Sequence, residues 1–379
     1  MTSRPGRLRA LLPWCGLAAA AAALTAPGLR TAVYAGVSDF KWHAAAARAW
    51  AEGGPLPTPH FLFQALLIAV SPLLPSLDWT ARAVALAVLC KAAQALVTAA
   101  LLERAVPLAR RASRLAAAAG LALALLVATP VTFPSWAARN LYHGYLGLAV
   151  YHNPTMLLLA PLAIALWWAV ARALDGAPVS AAALVMLTIA SALAKPSHLI
   201  ALLPAAGALA LAFLRSDRPP ASRTLLAAFA LPAVAVLVAQ FAFHFGGGGA
   251  LAWAPLAAMT YRDTSLLGRF LLSALFPLVA IAAFPRVLRS RPVLLAVLTF
   301  ACGASYAYLL VEADFVSARN FSWSAQSALL VLFVAVTRAL LETAREETPG
   351  GRARLALCGA ALLAHVVCGL HFLAHPTWW

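Results

Sequence analysis

Asp39 stands in the stretch Tyr34–Leu77, YAGVSDFKWHAAAARAWAEGGPLPTPHFLFQALLIAVSPLLPSL, with Lys41 and His43 close by. A carboxylate in that setting can act as a general base and take a proton from a hydroxyl. His43 follows at i+4, so on a helix the two side chains share a face and the imidazole would orient or tune the carboxylate. The same residues fit a plainer role. Ser38 or Asp39 opens the helix-forming run KWHAAAARAW, and either side chain can cap the orphan amides of a first turn. One side chain can do both.

More polar residues recur between apolar segments. The stretch RNLYHGYLGLAVYHNPT carries Tyr151, His152 and Asn153, the last ahead of Pro154 in a turn-to-helix signal. LAKPSHLI puts Lys195 and His198 at the tight join of two apolar runs, and Arg262 follows the glycine run Gly246–Gly249. VEADFVSARNFSW brings Glu312, Asp314, Arg319 and Asn320. Lys195, Arg262 and Arg319 can together hold a phosphate, lysine as a point charge and arginine as a fork. A lysine in that place also fits snorkelling to lipid headgroups. Glu312 and Asp314 would diverge on a helix, so one of them is expected to face a site. His43, His143, His152 and His198 lack a ligand spacing such as HxxxH, and a divalent metal is not indicated. Trp42, Trp253 and Trp323 read mostly as an interfacial belt.

The elements that must carry these groups are membrane helices. Hydrophobic residues make up 63% of the chain and charged ones 11%, and mean hydropathy is +0.86. That balance excludes a water-soluble domain of this size. The net charge of +16 would suit nucleic acid, but the arginines cluster between apolar runs, as the positive-inside rule requires. Apolar segments fall at Leu11 to about Leu29, Leu77–Leu102, 115–132, 155–173, 180–195, 198–214, 224–243, 268–284, 292–310, 324–341 and 355–373. The expectation is an all-α, polytopic bundle of about eleven spans forming one membrane domain over residues 1–379. Its N-terminus would be cytoplasmic and its C-terminus outside. Residues 1–25 also fit a cleaved signal peptide, but the following spans favour a retained helix.

Phe61–Pro75 is too short and too proline-flanked for a span. If it crossed, Arg104, Arg110, Arg111 and Arg114 would lie outside, against the charge rule. It is therefore expected as a juxtamembrane or re-entrant helix on the outer face, within an outer loop over residues 30–77. No Walker A or Rossmann glycine pattern appears, and the glycine run lacks the Lys-Ser/Thr of a phosphate loop. The five cysteines show no CxxC pair and read as packing residues. Lys91, deep in the second span, would suit a transporter or a structural pair with another helix.

With these residues in view, the first third of the chain resembles the GT-C superfamily of integral-membrane glycosyltransferases, which use polyprenyl-phosphate-linked sugars. The resemblance runs from the first span through SDFKWH, AAAARAWAEGG, PLPTPH, FLFQALLIAVSPLLP and SLDWTARAVALAVL to the basic turn LLERAVPLARR. It implies a catalytic or metal-organising carboxylate at Asp39 and juxtamembrane helices over 42–53 and 60–75, with His43 kept as the tuning group that the spacing suggests. By their residue types, Lys195, Arg262 and Arg319 would then lie on the donor phosphate, with Tyr151, His152, Asn153, His198, Glu312 and Asn320 toward the acceptor. The partners would be the lipid-linked sugar, the bilayer and a glycan, lipid or protein acceptor, at the outer face of a bacterial plasma membrane. Ser38 and Phe40 flank Asp39 where many members carry a second acid. Transport or flipping of a lipid-linked glycan, and polymerisation or ligation of surface glycans, are the rival readings.

Overall fold

A computed structural model describes residues 4–34, 38–132, 145–147, 152–217, 219–246, 250–257, 266–313, 320–344 and 349–374. Its helices follow the apolar runs. Helix α1 (Arg4–Tyr34) is followed by α2 (Phe40–Ala51) and α3 (Leu62–Val70), which continues as a 3-10 turn through Leu73. Next come α4 (Trp79–Glu103), α5 (Arg111–Val127), α6 (Pro154–Leu174), α7 (Ala181–Ala194) and α8 (Ser197–Ala212). A single turn, α9 (Ser222–Thr224), runs through a π-helical segment into α10 (Leu231–Phe245). The chain ends in α11 (Leu266–Ser273), α12 (Leu275–Ala283), α13 (Arg291–Leu309), α14 (Ser322–Thr343) and α15 (Pro349–Ala374).

Among the described residues, seven helical stretches are long and apolar enough to cross a bilayer: Leu11–Tyr34, Trp79–Glu103, Pro154–Leu174, Ser222–His244, Arg291–Leu309, Ser322–Thr343 and Gly350–Ala374. A further bent pair, α11 and α12, passes the same test together across a 70° break. This is a multi-pass, all-α membrane architecture. Leu62–Leu73, α7 and α8 are shorter apolar helices. At 14 residues, α7 reaches only about 21 Å, against a hydrocarbon core of roughly 30 Å. The first helix runs on to Tyr34 rather than ending near Leu29, so the segment between it and α4 is shorter than the sequence suggests.

Helix α14 is the axis. Of its most apolar window, 89% is buried inside the protein, and Ser324, Ala325, Ala328, Leu329, Val331 and Val334 have no more than 1% of their surface exposed. A helix apolar all round can be buried on every side. Small residues let its neighbours approach closely. A Cβ added at Gly303 of α13 would sit 2.8 Å from the Ser324 backbone, so that crossing depends on glycine.

The other departure from an all-helical reading is a pair of three-residue strands, β1 (Leu251–Trp253) and β2 (Leu310–Glu312). They pair antiparallel with Leu251 opposite Glu312. Helix α13 therefore ends at Leu309, and Glu312 sits on a strand. The helical argument for separating Glu312 from Asp314 fails for that reason, and Asp314 lies outside the described residues. The five cysteines form no disulfide.

Candidate active site

Two chain segments distant in sequence are stitched together at the N-termini of α2 and α6. The Asp39 amide donates to the His152 carbonyl at 2.9 Å. Asn153 Nδ2 donates to Asp39 Oδ2 at 2.8 Å. Asn153 Oδ1 meanwhile caps α6, accepting from Thr155 N (3.1 Å), Thr155 Oγ1 (2.7 Å) and Met156 N (3.2 Å). Three donors on one face of the amide fix which way it points, and its NH₂ group has only the carboxylate to address. Pro154 at the first helical position supports the same cap geometry.

Asp39 occupies the N-cap position of α2, yet its side chain makes no capping hydrogen bond. It turns to Asn153 instead, so the capping role expected of it is not used. Its carboxylate remains exposed on one side while protein crowds the other. That partial desolvation raises its pKa above the ordinary 3.8, against the opposing pull of Lys195 and of the Asn153 hydrogen bond.

The expected pairing of Asp39 with His43 does not form. His43 is buried, and its Nδ1 lies 2.8 Å from Gln64 Nε2 of α3. An amide NH₂ can only donate, so Nδ1 accepts. Phe63 stands edge-on to His43 at 6.1 Å and to Phe40 at 6.5 Å. Burial first, and Lys195 second, push the imidazole down to about 3. His43 is a neutral rivet between α2 and α3, joined to Asp39 only through the backbone bond His43 N to Asp39 O (3.0 Å).

Lys195 bridges α7 and α8 in an extended conformation. It is buried, with Nζ 4.9 Å from the Trp323 ring centroid, so the snorkelling expected of it does not occur. Desolvation lowers its pKa to about 8, opposed by Asp39 and then Glu312. Half-buried His152 lies against the same indole at 5.2 Å, and burial followed by Lys195 pushes it down to about 3. Trp323 is thus an internal platform, 8% exposed, rather than a belt residue. Trp42 and Trp253, by contrast, are 56% and 69% exposed.

Beside Lys195 opens a cavity of about 550 Å³, within the range of small-ligand sites. Its polar wall is made by Lys195, His60, His244, Glu312 and Asn320, and its apolar wall by Ile200, Leu237, Val238 and Phe241. Asn320 Nδ2 donates to Glu312 Oε2 at 2.9 Å, and His244 Nε2 stands 3.8 Å from Glu312 Oε1. Gln240 Nε2 ties the Pro59 and Ala192 carbonyls together, at 2.9 Å each. Asp39 does not line this cavity; it acts on it electrostatically through Lys195. His198 was expected at the acceptor, but it is wholly buried within α8, away from the cavity lining. Arg262, Arg319 and Tyr151 lie outside the described residues, and Lys195 is the one expected phosphate-binding cation that the structure places. Among the described residues, no cluster of His, Cys, Asp and Glu suits a metal ion.

Sequence reasoning did not single out Gln64, Gln240 or Arg269. Each is a strongly polar side chain inside an apolar run, which is itself a signal. Arg269 is buried in α11 with its guanidinium carbon 5.3 Å from the Tyr145 ring centroid. Comparison of the chain with protein-family profiles, with curated proteins and with solved structures gives no match.

Proposed function

We propose that the protein is a membrane glycosyltransferase that moves a sugar from a polyprenyl-phosphate-linked donor to an acceptor hydroxyl at the outer face. The observation that carries this reading is an exposed carboxylate, Asp39, held by Asn153 and electrostatically coupled to Lys195, the buried ammonium that lines a half-apolar, half-polar cavity. The lipid-linked phosphate would lie at Lys195, with its prenyl chain along Leu237, Val238 and Phe241. Asp39 would take the acceptor O–H proton as the oxygen bonds to the anomeric carbon. The bond from that carbon to the phosphate oxygen breaks on the opposite side, inverting the centre and releasing polyprenyl phosphate. Lys195 stabilises the departing charge electrostatically. Asn153 holds Asp39, and Glu312 with Asn320 addresses the sugar hydroxyls.

The topology belongs to the same proposal. The eleven apolar segments coincide with α1, α4, α5, α6, α7, α8, α9–α10, α11–α12, α13, α14 and α15. Counting each as a crossing puts the termini on opposite faces, and the arginine-rich loops, taken as cytoplasmic, would set the N-terminus inside and the Asp39 end of the bundle outside, in a bacterial plasma membrane.

One observation favours a second assignment of the base: Glu312 lines the cavity, whereas Asp39 does not. Membrane vesicles containing Asp39→Asn, Glu312→Gln and Lys195→Met variants, supplied with radiolabelled polyprenyl-phosphate sugar, separate the cases. Loss of about 10²–10⁴-fold in transfer for Asp39→Asn at normal abundance supports the assignment. The same loss for Glu312→Gln alone moves the base to Glu312. Lipid-linked sugar relocated but never consumed would replace the enzyme with a transporter.

A further inference from the structure

A second cavity lies at the opposite end of α1 and α4. Its volume is about 390 Å³, and Pro13, Trp14 and Leu17 of α1, Ala99 of α4 and Leu115 and Ala116 of α5 form its walls, with Arg111 at its edge. Small side chains leave the room, so the groove is as wide as the alanines are short. Leu11 and Leu12, exposed by 56% and 67%, continue the apolar surface beside it. Nothing in the transferase proposal uses this groove.

Its mouth is basic. Arg110 and Arg111 open α5, and Arg104 follows the end of α4. Arg114 folds back to donate to the Leu108 and Ala109 carbonyls (3.2 and 3.0 Å) and braces the connecting loop. The acid facing Arg111 is Glu103, and that pair is loose at 3.9 Å, with the arginine side chain 69% exposed. Trp14 stands near the start of the candidate span Leu11–Tyr34, and indoles are enriched at the headgroup level of membrane interfaces.

We infer that this groove binds one anionic glycerophospholipid, its phosphate on Arg111 and an acyl chain lying between α1 and α5. Charge selects the headgroup, because basic pockets between membrane helices on the positive side attract anionic lipids. The apolar wall selects a lipid over free phosphate, which would have nothing to place against Leu17 and Leu115. The lipid would pin α1 to α5 at the end of the bundle where α1 packs least.

The test uses the full-length protein in mixed vesicles of phosphatidylglycerol and phosphatidylcholine, extracted in mild detergent, with retained lipid counted by native mass spectrometry. The wild type is expected to retain phosphatidylglycerol preferentially. Arg111→Gln should lower that preference roughly fivefold, the factor one basic residue contributes near an anionic lipid surface. It should leave phosphatidylcholine retention unchanged. Ala116→Phe should exclude both lipids; should that variant fail to fold, the exposed Arg111 substitution carries the test. An unchanged lipid ratio in Arg111→Gln overturns the inference. So does equal thermal protection by inorganic phosphate, or a dimer cross-linked through Trp14 with no lipid retained.

Discussion

Asn153 spends its two amide ends on different tasks: Oδ1 holds the first turn of α6 and Nδ2 holds Asp39. Two substitutions separate them. Asn153→Asp keeps a capping oxygen but faces Asp39 with a second carboxylate, so the thermal midpoint should fall at neutral pH and recover as the pH drops and the pair takes up a proton. The acid limb of the transfer profile should then move up by about 1–3 pH units, as like charges sharing a site require. Asn153→Ala loses both tasks and should lower stability by about 1 kcal/mol, the usual worth of a cap. The wild-type profile follows from the same pair of groups. Activity should rise as Asp39 loses its proton, above its ordinary 3.8, and fall as Lys195 loses its own near 8. Lys195→Arg keeps the charge and should remove the alkaline limb from the accessible range. The stability sign runs the other way. Lys195's folded pKa lies below its ordinary 10.5, so its contribution is fully present above pH 10.5 and is lost as pH falls through about 8. Relative to Lys195→Met, the wild type should therefore melt progressively higher between pH 8 and 10.5. The sequence names Asp39, Lys195, His152 and Asn153 as polar groups among apolar runs, and these do converge. It cannot say which partner each chooses. Spacing of four predicts that Asp39 and His43 share a helix face, but Gln64, twenty-one residues on, takes His43 because α3 packs against α2.

At the level of elements, the α2–α3 hairpin and the α13–α14 crossing are held by different physics, and each can be loosened separately. Gln64→Leu leaves His43 Nδ1 buried without a donor, which should cost about 1–3 kcal/mol. Since His43 touches Asp39 only through the backbone, the pH profile should keep its shape while the thermal midpoint falls. Gly303→Leu drives a side chain into the Ser324 backbone, only 2.8 Å from the new Cβ. Overpacking of this kind costs about 1–3 kcal/mol where neighbours yield, and here backbone must move, so the larger end is expected in a detergent melt. Helix positions were readable because α4, α6, α13 and α14 need about twenty apolar residues each. Proline flanks marked Leu62–Leu73 as something shorter. The strands β1 and β2 carry no such signal. Three residues give no period, and their pairing joins segments about sixty positions apart, which no local pattern encodes.

Over the whole molecule, positive charge gathers at one end of the bundle. Arg338 donates to Leu101 O at 3.1 Å, and Arg291 reaches both Leu174 O and Ser216 Oγ. These contacts bring the last turns of α4, α6, α8 and α14 together with the start of α13. Asp39, His152, Lys195 and Trp323 lie at the opposite end, where the start of α2 meets the start of α6 and the start of α8 meets that of α14. The helices thus alternate in direction and sort arginines from the candidate site, as a positive-inside protein must. If the basic end is cytoplasmic, single cysteines placed in a variant lacking the native five should report it. Trp42→Cys, exposed on α2, should react with a membrane-impermeant maleimide in intact cells. Leu108→Cys, 44% exposed in the loop before α5, should react only after the membrane is opened. Both positions lie outside the candidate spans, so lipid shielding does not mask either thiol. The reverse labelling would turn the bundle over and put Asp39 in the cytoplasm, where the charge asymmetry of α4 and α5 would oppose it. Labelling of both thiols from outside would require an even number of crossings between α2 and α5: either the α3 segment crosses as well as α4, against the charge rule, or α4 is no span at all.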